Sequence, residues 1–172
     1  IMGDKLTAYQ TAIGQLPDSQ LQWPLYGAGF DNLGLDGAPV RAPIPNYGPD
    51  ELLVRHDAVG ICFSDIKVIK AGQDHPKIYK DMHTQPVILG HEVSVTIVAV
   101  GAELRDQYNV GERFAIQADI YVDGLARCYG YDLPGGHAQY NVLGAPVLHG
   151  DHGCYLIPLH PAMGYAESAL TE

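Results

Sequence analysis

Three stretches of the chain alternate between apolar and other side chains at every second position. Leu52, Val54 and Ala58 mark the first, Val93, Val95, Ile97 and Ala99 the second, and Phe114, Ile116, Ala118, Ile120 and Val122 the third. Successive side chains of a strand point to opposite faces, so each run predicts a strand with its apolar residues on one buried face. Weaker runs predict strands over 138–143 and 154–159, and a short one over 20–23. Residues 65–70 fit one or two helical turns, and 163–170 a helix opened by Pro161, which a first turn tolerates. Residues 14–50 are rich in Gly, Pro and Asn and show no sustained period. The first 45 residues are therefore expected to form an extended arm packed on the same domain. Many short strands joined by Gly and Pro turns predict a mainly β fold, a barrel or sandwich. No strand–helix alternation suggests a parallel nucleotide-binding sheet. The glycine-rich Gly27-Ala28-Gly29 has Asn32 where a dinucleotide loop needs its third Gly, and no strand precedes it.

Composition narrows the picture. With 172 residues, 47% hydrophobic and 17% charged, the chain suits one core and is too short for two ordinary domains. Twenty acidic against ten basic residues leave a net charge of −10 without a Lys/Arg cluster, which argues against nucleic acid or an anionic membrane as the main partner. The longest apolar stretch, Val93 to Ala102, is too short to span a bilayer and contains Ser94, Thr96 and Gly101. Asp4 and Lys5 interrupt the start, which does not read as a signal peptide. Three cysteines cannot all pair with one another, and a reducing, cytoplasmic setting is expected.

Two segments could carry chemistry. Gly60-Ile61-Cys62-Phe63-Ser64-Asp65 directly follows one predicted strand, and Gly90-His91-Glu92 directly precedes another. A thiolate and an imidazole are suitable zinc donors, and a catalytic zinc needs three protein ligands with one position left open. Cys62 and His91 are 29 positions apart, which excludes a local zinc knuckle. Taken alone, such a Cys is more often a small buried hydrophobe and such a His a satisfied polar group.

Ala58-Val59-Gly60-Ile61-Cys62-Phe63-Ser64-Asp65, followed by Pro86-Val87-Ile88-Leu89-Gly90-His91-Glu92, resembles the catalytic domain of medium-chain zinc-dependent dehydrogenases, which include alcohol, sorbitol and threonine dehydrogenases. Val110-Gly111-Glu112-Arg113-Phe114 and Gly135-Gly136-His137-Ala138-Gln139-Tyr140 fit the same pattern in order. The resemblance implies a GroES-like twisted, partly open β-barrel with a few short helices over 46–172. It implies one catalytic zinc held by Cys62, His91 and Glu172, with Glu92 beside the metal and able to replace a ligand. It places Ser64 in a proton relay and Asp65 behind the His91 ring, although Asp65 also reads as an N-cap. Lys67 stands where many members carry a relay His, and could touch a cofactor ribose or phosphate. The implied reaction moves hydride between NAD or NADP and an alcohol, polyol or sugar phosphate, with zinc polarising the reacting oxygen. The long segment holding Lys70, His75, Lys77, Lys80 and His83 looks most like the L-sorbose-1-phosphate reductase subgroup, and its basic residues suit a phosphate. A homodimer or homotetramer is the expected assembly.

Several positions depart from the family. Val95 replaces a Gly of the zinc signature. Of the four cysteines that hold a structural zinc in relatives, Cys128 alone lies in the matching region, so no structural zinc is expected. The family continues past the position of Glu172 into a nucleotide-binding domain, so the chain is expected to be a fragment. His149, His152 and Cys154 form a competing set of metal donors, although the glycines between them favour a flexible turn. A second reading keeps the fold without the chemistry: a non-catalytic GroES-like barrel acting as a binding or assembly module, indifferent to residues 62 and 91.

Overall fold

The computed structural model describes residues 2–171, so Glu172 lies outside the described residues. The chain opens with helix α1 (Met2–Thr11), then strands β1 (Ser19–Gln22), β2 (Pro24–Leu25) and β3 (Val40–Pro43). The arm is therefore not extended throughout. Residues 2–11 hold no proline and a single glycine, Gly3 in the first turn, unlike 14–50, and they form a helix.

Strand β4 (Leu52–Val59) leads into helix α2 (Phe63–Ala71). Strands β5 (Val87–Ile88), β6 (Val93–Val100) and β7 (Arg113–Ile116) follow, then a hairpin of β8 (Tyr121–Val122) and β9 (Leu125–Ala126). Strand β10 (Tyr140–Leu143), helix α3 (Ala145–Leu148), strand β11 (Leu156–Pro158) and helix α4 (Tyr165–Ala169) complete the fold. The main sheet is antiparallel in the order β10-β4-β6-β7-β11 and does not close into a barrel; β1 pairs with β3, and β2 with β5.

Two bulges between β4 and β6 correct the expected faces. The partners step from His56↔Val95 to Ala58↔Ser94, leaving Asp57 as an extra residue, and from Leu53↔Ala99 to Val54↔Ile97, leaving Val98. Each extra residue flips the alternation that follows it. Hence Leu52 and Val54 face the main core together with Val59, not Ala58; Val93, Val95 and Ile97 do so with Val100, not Ala99. The third run behaves differently. Its ladder ends at Ile116, yet Ala118 and Ile120 remain in the core and Val122 packs against it. The chain turns after Val122 because Asp123 and Gly124 both adopt positive φ, the two-residue turn that joins β8 to β9. The predicted C-terminal helix is shorter than 163–170, beginning only after Gly164.

The opposite face of the sheet is polar and is covered by α1 and α4. Arg55 Nε donates to Asp57 Oδ1 at 2.9 Å, and the Tyr9 hydroxyl donates to the same oxygen at 2.8 Å. The guanidinium of Arg55 stacks 3.8 Å from the Tyr9 ring centre, and that of Arg113 lies 4.4 Å from the Tyr165 ring centre. This stacking accounts for the guanidinium nitrogens of both arginines that are buried without a hydrogen-bond partner.

His56 links β4 to β10 through one complete chain of hydrogen bonds. Asn141 Nδ2 donates to the Tyr129 hydroxyl at 2.9 Å. That hydroxyl lies 2.8 Å from His56 Nε2, and His56 Nδ1 lies 2.7 Å from the Ala138 carbonyl. The carbonyl can only accept, so the proton is on Nδ1 and the ring is neutral. One face of the ring meets a pocket, but the surrounding protein still encloses it enough that burial lowers its pKa to about 4, against the Ala138 carbonyl pulling upward. The folded value lies below the ordinary 6.5, so between these values the unfolded chain binds a proton that the folded chain refuses. Stability is then full above the ordinary value and falls as pH drops toward 4, by roughly 2 kcal/mol after discounting for the exposed face. Urea unfolding at successive pH values should show this loss, and His56→Gln should flatten it.

Candidate metal centre

The site forms where two neighbouring strands run out. Val59 pairs with Val93 at the end of the β4–β6 ladder, and the Gly60 amide donates to the Glu92 carbonyl at 2.7 Å. Cys62 and the His91-Glu92 pair therefore meet although they are distant in sequence. Gly60 is needed for this approach: a Cβ there would lie 2.9 Å from Glu92 Cβ and closer still to its carboxylate. Gly90 enters the His91 turn at φ 92, where a Cβ would also strike His137 at 2.8 Å.

Cys62 is the N-cap of α2, and Asp65 completes a capping box by accepting the Cys62 amide at 3.0 Å. Asp65 is thus the third residue of the helix rather than its N-cap, and the helix begins before position 65. The other carboxylate oxygen lies 3.4 Å from His91 Nδ1. That contact turns Nε2 outward, where it lies 3.1 Å from the Ser64 hydroxyl. Cys62 Sγ, a ring nitrogen of His91 and a carboxylate oxygen of Glu92 all lie within 4.8 Å of one another. Cys62 and Glu92 are half-buried and His91 is buried.

The charges support one another. Hydrogen bonds from Ser64, and then His91, hold the Cys62 thiol below its ordinary pKa. Burial alone would lower His91, but Asp65 and Cys62 overcome it and raise the ring to about 9. Burial also pushes Asp65 upward, yet His91 and the Cys62 amide leave it below the usual carboxylate value. Without metal, His91 is an imidazolium at neutral pH beside a Cys62 thiol whose ionisation it favours. With a divalent cation the three groups offer one sulfur, one nitrogen and one oxygen donor, a set that fits zinc.

Other predicted positions fall as follows. Lys67 is exposed on α2 with its ammonium 5.5 Å from the Phe63 ring centre. Val95 is fully buried in the sheet core. His149, His152 and Cys154 are all exposed and do not form a metal-binding group among the described residues. Cys128 is buried and touches Lys77 and Asp119. Tyr131 is a site residue that the sequence reading missed. Its buried ring lies 5.6 Å from the His91 ring, and the Ser64 side chain is near enough to its hydroxyl to oppose the rise in pKa that burial causes. No periodic pattern distinguishes Tyr131 from the other ten tyrosines, so only the fold could reveal it.

Residues 48–153 match the alcohol dehydrogenase GroES-like domain, and the chain belongs to that family. Mannitol-1-phosphate 5-dehydrogenase of Aliivibrio fischeri is 33% identical over 130 residues, covering 75% of this chain and 30% of that protein. L-sorbose 1-phosphate reductase of Klebsiella pneumoniae is 35% identical over 107 residues, or 61% of this chain and 26% of that one. Sorbitol dehydrogenase of Gallus gallus is 40% identical over 78 residues, covering 45% and 21% respectively. Among solved structures, acetophenone reductase from Geotrichum candidum in complex with NAD superposes with a TM-score of 0.65 at 23% identity, over 91% of this chain and 44% of that one. The chain spans less than a third of these sequence relatives.

Asp65→Asn removes the charge that orients His91 and weakens the cap of α2. It should cost about 1 kcal/mol of stability and lower zinc affinity roughly 10- to 100-fold, measurable by thermal unfolding and by competition with a chromophoric chelator.

Proposed function

We propose that this chain is the zinc-binding catalytic domain of a nicotinamide-dependent oxidoreductase acting on an alcohol, polyol or sugar phosphate. The observation that carries this reading is the convergence of Cys62, His91 and Glu92 at the ends of paired strands. The named activities of the sequence relatives, dehydrogenases and a reductase of sugar alcohols and sugar phosphates, support it. Cys62, His91 and Glu92 would hold the metal, and Glu172 is a further ligand candidate at the end of the chain. Zinc would supply a Lewis acid that polarises the substrate oxygen.

The chain's own residues do the rest. The Asp65 carboxylate, 3.4 Å from Nδ1 of His91, favours a proton there by its charge and would leave Nε2 to face a metal. Ser64, close to both His91 and Tyr131, is placed to exchange a proton with the substrate hydroxyl. Exposed Ile61 and Phe63 flank Cys62 and present an apolar rim that would keep water from the reacting carbon. Hydride would pass to or from NAD or NADP. A cytoplasmic homodimer or homotetramer is the assembly we associate with this reading. Among the described residues no helix is long and apolar enough to cross a membrane.

Elemental analysis after dialysis against a mild chelator should find about one zinc per wild-type chain and much less in Cys62→Ser; full retention by the variant would refute the assignment. The His91 proton adds a second signature. Its pKa of about 9 means that metal must displace a proton at neutral pH, so zinc affinity should fall about tenfold for each pH unit lost between pH 8 and 6. Titration with an indicator dye would measure the proton released.

A further inference from the structure

Four basic side chains lie between α2 and β5, and a fifth, Lys70, sits in the last turn of α2; the fold sorts them. Lys70 and His83 are exposed, and Lys80 Nζ donates to the Asp132 carbonyl at 3.0 Å. His75 and Lys77 instead pack against Tyr131, the ring that also touches His91. The His75 and Tyr131 rings are 5.4 Å apart, and Lys77 Nζ lies 5.9 Å from the Tyr131 ring centre. Both are half-buried.

We propose that Lys77, His75 and Lys67 form a subsite for the phosphate of the substrate, one tyrosine ring from Cys62, His91 and Glu92. The proposal rests on the reading above that the substrate's reacting oxygen sits at those three residues. Lys77 is held rather than mobile: its ammonium donates to Asp119 Oδ1 at 3.0 Å and to Cys128 Sγ at 3.3 Å, which leaves its third N–H for a ligand. The Lys77 amide donates to His75 Nδ1 at 3.3 Å, so the neutral ring carries its proton on Nε2 and presents it as a donor. Lys67, three residues beyond Ser64 on α2, supplies a positive charge with no carboxylate partner among the ion pairs of the described residues. The three groups sense one another: burial, then Lys77, then Lys67 depress the His75 pKa. A phosphate dianion would relieve that repulsion. Asp119 opposes a dianion, but Lys77 and the Cys128 thiol already occupy its Oδ1.

The same chemistry would accept the phosphate of a cofactor, so the test separates the two sources. Inorganic phosphate titrated into the protein and followed by phosphorus NMR should bind saturably to wild type and equally to Cys62→Ser. Lys77→Gln should weaken it about tenfold, and Lys77→Arg should restore it. Lys67→Gln should act in the same direction without touching Asp119 or Cys128, which keeps the proposal testable if Lys77→Gln fails to fold. By calorimetry, a hexitol phosphate should bind more tightly than its parent hexitol, and Lys77→Gln should erase that preference. Phosphate that fails to bind, or that binds Lys77→Gln as it binds wild type, overturns the subsite. If Lys77→Gln weakens an adenosine monophosphate but spares the hexitol phosphate, the substrate assignment is overturned. Zinc retained by Cys62→Ser would instead refute the dehydrogenase reading, while the inorganic-phosphate arm still decides the subsite.

Discussion

The antiparallel pairing of β4 with β6 governs this molecule. It runs the full eight residues of each strand, from Leu52↔Val100 to Val59↔Val93, and the hydrogen bond from Gly60 to the Glu92 carbonyl extends it into the loops. Everything the metal centre needs follows from where that ladder ends. One strand exits through Cys62 into a helix, and the other is entered through His91 and Glu92, so three donors arrive at one point without any of them being near neighbours across a turn. The distance between the strands, not the distance along the chain, sets the geometry. The buried residues of β4 and β6 fix where the ladder ends, and that would hold the three candidate donors in place.

The two faces of the sheet are stabilised by different physics. Toward the core lie Val54, Val93, Val95, Ile97, Phe114 and Ile116, an apolar layer. Toward α1 and α4 lie Arg55, Asp57, Ser94, Thr96 and Arg113. The Ser94 hydroxyl donates to the Tyr165 carbonyl at 2.9 Å, Arg113 donates to the Met163 carbonyl at 2.8 Å, and Thr96 donates to Asp57. Such a buried ionic face adds little net stability compared with an apolar one, because desolvation offsets most of the attraction. It does make the seating of both helices specific: each donor fits one carbonyl, and a helix that slid by a turn would leave several charges unpaired.

Much of this was legible in the residues. The period-two runs located β4, β6 and β7, and the motifs around Cys62 and His91 pointed to two candidate metal donors, which the fold brings together, and to the family. The faces beyond each bulge were not legible, because an extra residue in a strand leaves no mark in a hydrophobic pattern. Ala58 and Ala99 are as apolar as Val59 and Val100, and only the pairing register decides which of them turns inward. The Asp123-Gly124 turn was available as a signal, but the unbroken alternation from Phe114 to Val122 concealed it. Helix α1 escaped notice because its residues are mostly exposed and show no apolar stripe. Tyr131 reaches the His91 ring by long-range packing, on which local sequence is silent.

Glu92 is where these strands of argument meet. The family resemblance treats it as a neighbour of the metal and looks to position 172 for the third donor. The described residues place a Glu92 oxygen beside Cys62 Sγ and the His91 ring, and the absence of a side chain at Gly60 gives the carboxylate its room. A donor adjacent in sequence to His91 and anchored by a backbone bond to Gly60 cannot drift far from the site. On this argument the candidate centre is assembled by sheet register, which brings Cys62, His91 and Glu92 together at the end of the β4–β6 ladder.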